Sequence, residues 1–172
     1  MGRSIHFILT IVVILLISVF YTPNICAKPQ LSQHREGYFF LQRSVFSRHW
    51  KDNYRYNNKQ ELLGLEYQLT DSKLIGLTKF KNSFNQSCWY SYIGRSYLLW
   101  DISSQTKVYG KMTVGFISGY DDENGRYNGI YNRLKTFPVI VPGFELEYKK
   151  IFIFDLVFYA SSGFMITTGV KF

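Results

Sequence analysis

The chain of 172 residues carries 20 Lys and Arg against 12 Asp and Glu, a net charge of +8, and 19% of its residues are aromatic. That length accommodates one domain with a sizeable core. Its three histidines (His6, His34, His49) lack metal-ligand spacing, and it has no glycine-rich phosphate cradle and no base-reading motif, so a metal, a nucleotide cofactor and nucleic acid are all unsupported.

In chain order, Arg3 and His6 precede an apolar run over residues 7–21 and the segment "TPNICA". A short basic region, an apolar run and a small residue form a secretory signal over residues 1–27, with cleavage after Ala27. The alternative is an uncleaved anchor helix, but the run of about 15 apolar residues falls short of the roughly 20 that a spanning helix needs. Cleavage removes Cys26 and leaves Cys88 as a small packed residue, with no disulfide in an oxidising compartment. A basic exported chain suits anionic lipid headgroups. Residues 28–37 form a short N-terminal segment ahead of a domain over 38–172.

From residue 38 onward alternation replaces any 3.6-residue period, and turn residues recur about every ten positions. Eight strands are expected over 38–49, 60–69, 74–81, 88–101, 107–118, 139–148, 151–160 and 164–172. The connections include "KDNYRYNNK", "KNSFNQ" and the long "GYDDENGRYNGIYNRLKTFP". In the second strand Leu63, Leu65, Tyr67 and Leu69 oppose Gly64, Glu66 and Gln68; in the sixth, Phe144, Leu146 and Tyr148 oppose Glu145 and Glu147. A soluble sandwich would strand those acids in its core. An all-β, eight-stranded antiparallel transmembrane β-barrel solves the problem by turning the apolar face to acyl chains and the polar face inward. A soluble lipid carrier of the lipocalin type is the rival, with its apolar face inward. The seventh strand, "IFIFDLVFYA", is apolar on both faces except at Asp155, which implies a partly greasy lumen with room for one slim ligand such as an acyl chain.

His49 ends the first strand, and Asn82 and Ser83 follow the third, so all three belong to one rim. Histidine plus serine is the minimum for a base-activated hydroxyl or a general acid–base site. From spacing alone the plainer reading is a rim histidine and a turn serine, both of which are common.

Several segments, in order, carry a resemblance over residues 47–172. They are the rim His49 followed by Tyr56-Asn57, the glycine-bearing "LLGLEY", "IGLTKFKNSFN", "VGFISGY", the proline-bearing "FPVIVPGFELEY", and a last strand ending in Lys171 and Phe172. Together they resemble the lipid A palmitoyltransferase family, the PagP type. The resemblance implies an outer-membrane barrel that moves a palmitoyl chain from a phospholipid donor to lipid A. Its partners are those two lipids and the outer membrane, and it needs no cofactor. On this likeness His49 and Ser83 stand at the family's essential histidine and serine, while Asn82 stands where the family has an aspartate. An amide orients a neighbour but takes up no proton. Gly94 stands at a lumenal glycine that floors the acyl pocket; its plain reading is a bend or close strand approach. Lys79, Lys81, Arg126 and Arg133 are candidates for lipid A phosphates, or simply a solvated basic rim. Pro138 and Pro142 lack ladder N–H groups and mark a loosened place resembling the family's lateral gate. A closed barrel has no free edge and can stand alone as a monomer. The alternative function is a non-catalytic outer-membrane surface barrel serving adhesion, phage exclusion or membrane stability.

Overall fold

The computed structural model describes residues 37–50, 56–69, 72–124, 129–159 and 162–172. The expected signal over 1–27, residues 28–36 and the candidate Arg126 lie outside them. Eight strands follow in order: β1 Tyr38–His49, β2 Leu63–Gln68, β3 Lys73–Lys81, β4 Ser87–Ser103, β5 Thr106–Ser118, β6 Thr136–Tyr148, β7 Phe152–Tyr159 and β8 Gly163–Lys171. Each pairs antiparallel with the next, and β8 pairs with β1, which closes the barrel. At the seam Phe39 and Phe172 exchange both backbone hydrogen bonds, at 2.8 and 2.9 Å.

The boundaries depart from expectation where backbone chemistry intervenes. β2 begins at Leu63 because Glu61 adopts φ 49°, outside the extended region, and breaks the run that starts at Gln60. β6 begins upstream of Pro138, at Thr136, because its first half pairs with β5. A five-residue helix, α1 (Ile130–Leu134), sits in the long connection where the sequence shows no sustained period.

Alternation sets the faces. On β2 and β3 the inward residues include Glu66, Gln68, Leu74, Thr78 and Phe80, while Leu65 and Leu77, paired across the two strands, are 45% and 48% exposed. On β6 and β7, Phe144, Leu146, Phe152 and Phe154 point outward and Glu145, Glu147, Ile153 and Asp155 are buried. The apolar face therefore points away from the lumen, the reverse of a lipocalin-type carrier, which would sequester it.

The lumen has two halves. Around its middle the Lys111 ammonium lies 2.8 Å from Glu66, 2.8 Å from Asp155 and 3.7 Å from Glu145. The Tyr92 hydroxyl donates to Glu66, Gln42 donates to that hydroxyl, and Thr167 donates to Gln42. Toward the chain ends Lys171 meets Glu147 at 3.3 Å and lies 4.0 Å over the Tyr38 ring. Toward the other rim the filling turns apolar, with Leu62, Phe80, Cys88, Tyr90, Ile117, Phe137, Val141 and Met165. β7 spans both regimes: Ile153 packs with Tyr38 and Phe40, Asp155 reaches the ion cluster, and Val157 and Tyr159 meet the apolar half. The greasy lumen expected from β7 is thus confined to one end, above a charged plug.

Candidate functional site

The rim at the apolar end is built from the end of β1, the β3–β4 turn, the β5–β6 connection and the start of β8. The side-chain parity of β1 would aim His49 outward, in line with Phe39 and Leu41. A β-bulge between Ser44 and Phe46 resets it. Val45 and Phe46 are both exposed, and beyond them Ser47 is buried and His49 half-buried. The extra residue re-aims the imidazole across the mouth of the lumen, a use to which bulges are suited.

Ser83 is delivered by a turn that Asn82 makes. The Asn82 amide oxygen accepts from the backbone N–H groups of Phe84 (2.9 Å) and Gln86 (3.0 Å), and its amide nitrogen donates to the Gln86 side chain (2.9 Å). Asn85 takes the left-handed conformation the turn requires, φ 65°, which asparagine tolerates. Asn82 is 1% exposed and its side-chain bonds are all local, so it shapes the turn and does not reach His49. Asn82, expected to orient His49, Ser83 or the oxyanion, thus sets the turn that carries Ser83. A carboxylate at 82 could accept from the same two N–H groups and would lose only the bond that the amide nitrogen donates to Gln86. Asn82→Asp should therefore keep the fold, whereas Asn82→Ala leaves two backbone donors unsatisfied and should cost about 1–3 kcal/mol. Urea midpoints of the two refolded variants check this.

The arrangement brings His49 Nε2 to 2.7 Å from Ser83 Oγ. On the other side of the ring, His49 Nδ1 lies 2.7 Å from the amide oxygen of Asn58, a residue that sequence reasoning passed over in favour of its neighbours Tyr56 and Asn57. The Tyr56 ring packs 4.9 Å from the imidazole. Asn57 fastens the loop: its N–H donates to the Ser83 carbonyl at 2.8 Å and its side chain accepts from the Lys59 N–H. From the turn, Gln86 continues to the Asp121 carbonyl and Glu123, and Asn132 of α1 donates to that same carbonyl at 2.7 Å. Lys135, 3.7 Å from the exposed Asp121, holds that carboxyl below the usual carboxylate range.

Beneath the pair lies a cavity of about 190 Å³, with His49, Asn82 and Ser83 at its mouth and Phe80, Ile117, Phe137, Val141 and Tyr159 in its apolar wall. Val139, Ile140 and Phe164 also line it, and Ile140 is exposed on the outer face. That places part of the wall at a seam. β6 is paired with β5 from Thr136 onward, but its ladder with β7 begins at Gly143, opposite Val157. Above that point β7 pairs with β8. Among the described residues, the stretch of β6 containing Pro138 and Pro142 thus has a ladder partner on one side.

The remaining candidates separate. Gly94 lines neither this cavity nor the small void of about 50 Å³ beside Lys111 and Asp155. A Cβ at Gly94 would collide with the Met112 carbonyl and approach Thr113 and Leu74, so the glycine serves close packing of β4 on β5 and is not the pocket floor. The floor is made instead by Val141 and Tyr159, which border both cavities, and Tyr159 donates to the Met165 sulfur. Lys79 is exposed with its ammonium 5.6 Å from the Trp89 ring, and Lys81 pairs with Glu61 at 3.0 Å. Arg133 is exposed in the last turn of α1. None of the three lines the cavity.

No family model matches the chain, and no curated protein matches it.

Proposed function

We propose that the protein is an outer-membrane acyltransferase that moves a palmitoyl-like chain from a phospholipid to lipid A in the outer leaflet. The observation that carries this reading is the 2.7 Å contact between His49 and Ser83 at the mouth of an apolar cavity. A hydroxyl and an imidazole at that distance can exchange a proton, which is what ester exchange requires. An apolar cavity below them suits an acyl chain, and the seam beside Pro138 and Pro142 suits its lateral arrival from the bilayer. The outward apolar face supports a membrane setting, where lipid-facing residues are apolar and lumenal ones polar. Lys79, Lys81, Arg126 and Arg133 are the candidates for the lipid A phosphates on this reading, and the closed barrel works as a monomer. The reaction exchanges one ester for another and needs neither metal nor cofactor.

Two measurements test this. Leu77, at the middle of β3, would sit near the bilayer midplane; Leu77→Arg should cost about 2–4 kcal/mol there. On a water-soluble barrel the same change would be near neutral. The readout is the fraction of folded, heat-modifiable protein recovered in outer membranes. The decisive experiment is a mass spectrum of lipid A from Gram-negative cells lacking their own palmitoyltransferase, with and without this chain. One added acyl chain is the expected result. An unchanged spectrum with the folded barrel present in the outer membrane would overturn the enzymatic reading and favour a non-catalytic surface barrel.

A further inference from the structure

We infer that Asn58 is the positioning residue of a Ser83–His49–Asn58 triad, and that Ser83 is consequently the nucleophile of a two-step transfer. The inference rests on the acyl-transfer reading above and specifies its chemistry.

A neutral imidazole carries one N–H, and the group facing one nitrogen decides which nitrogen holds it. The Asn58 amide oxygen, 2.7 Å from His49 Nδ1, only accepts. The proton therefore sits on Nδ1, and Nε2 presents its lone pair to the Ser83 hydroxyl 2.7 Å away. That is the tautomer able to take the serine proton. The same ring flipped in protonation would donate to Ser83 Oγ and hold the hydroxyl as a mere acceptor.

Asn58 is fixed independently of the imidazole. Its carbonyl accepts from Ser47 Oγ at 2.6 Å, and Ser47 is buried two residues before His49 on the reset face of β1. The preceding Asn57 binds the Ser83 carbonyl through its own N–H. The loop carrying Asn58 is thus tied both to the strand of the histidine and to the turn of the serine. An amide in this place orients the base but brings no negative charge, the combination found where asparagine completes a nucleophile–histidine pair on other folds.

The steps balance as follows. Ser83 Oγ attacks the ester carbonyl carbon of the phospholipid while its proton passes to His49 Nε2. The bond between that carbon and the glycerol oxygen breaks, and the glycerol oxygen takes the proton from Nε2. The products are acyl-Ser83 and a lysophospholipid. An acceptor hydroxyl then gives its proton to Nε2 and attacks acyl-Ser83. Ser83 Oγ leaves and recovers the proton.

The test uses the full barrel, refolded in detergent, and a fluorophosphonate probe, which reacts with activated serines whatever the natural lipid. Intact mass and peptide mapping follow the label. Wild type should label at Ser83, and His49→Ala should lose the label. Asn58→Leu should slow labelling by about 100-fold, the scale of general base catalysis, with the heat-modifiable fraction unchanged. Asn58→Asp also only accepts, so it should restore labelling; its charge stabilises the imidazolium and should move the pH midpoint upward. Labelling of folded Asn58→Leu at the wild-type rate would overturn the triad. So would loss of labelling in folded Asn58→Asp, because the amide would then have to be donating. An unlabelled wild-type Ser83 in a protein that still acylates lipid A would remove the nucleophile and leave the transferase. Strong labelling with unaltered lipid A supports the triad while the lipid A reading fails.

Discussion

Ser83→Ala should return the lipid A spectrum to that of cells without the protein, with the folded barrel still present. The side chain contributes one hydroxyl, 2.7 Å from His49 Nε2, while the structural contact of this residue is made by its backbone carbonyl to the Asn57 N–H. Chemistry and fold are therefore separable at this position. Neighbouring hydroxyls are poor substitutes: Ser47 also lines the cavity, but its Oγ–H is spent on the Asn58 carbonyl. His49→Ala should be nearly as severe, lowering the transfer rate by about 10²–10⁴-fold, the usual worth of a positioned acid–base group. An in vitro assay with radiolabelled phospholipid and purified lipid A gives the rates, and unboiled gels confirm that both variants fold. Unaltered transfer by Ser83→Ala would exclude this residue from the reaction.

The largest loss of stability is expected from Lys111→Met. Lys111 brings the positive charge to three buried carboxylates, at 2.8 Å (Glu66), 2.8 Å (Asp155) and 3.7 Å (Glu145). Replacing it with an apolar side chain of similar length preserves the packing beneath Phe40 yet leaves the acids facing one another without their cation. Breaking a buried ion pair by removing one member typically costs about 3–5 kcal/mol, far more than the net worth of the intact pair. Unfolding midpoints in urea, read from the heat-modifiable band, should fall accordingly. The cause is checked by the triple change Lys111→Met with Glu66→Gln and Asp155→Asn, which removes the two acids nearest the lost cation, leaves only Glu145 of the three, and should recover much of the loss. If the single variant unfolds with the wild type, the cluster does not hold the barrel together.

Much of the barrel is legible in the sequence because two-residue periodicity is a local signal. Leu63, Leu65 and Tyr67 against Gly64, Glu66 and Gln68 dictate the faces of β2 without knowledge of its neighbours. β1 runs over Tyr38–His49, as its alternation and the following turn imply. What escaped was whatever depends on long-range pairing. The bulge at Ser44–Phe46 has no local signature, since Val45 and Phe46 are good strand residues; it exists because β8 pairs out of step there, and it alone decides that His49 faces inward. Asn58 looked like one amide in the polar run "YRYNNK", and only the course of the loop brings it to the imidazole. Gly94 carried a plausible reading as a pocket floor, but the need for glycine there comes from the approach of the Met112 carbonyl on β5. Asn82 was legible as a residue of the turn beside Ser83, and its amide oxygen holds that turn.

The charged plug also governs traffic. Phe40, Glu66, Gln68, Glu145, Ile153, Asp155 and Thr167, which make up this part of the lumen, are each at most 2% exposed. The void left beside Lys111 is about 50 Å³, a volume for one or two waters at most. A barrel stoppered in this way offers hydrated ions and sugars no continuous aqueous route. Set in a bilayer, it should carry no measurable conductance, and cells making it in quantity should keep their permeability barrier to small antibiotics intact.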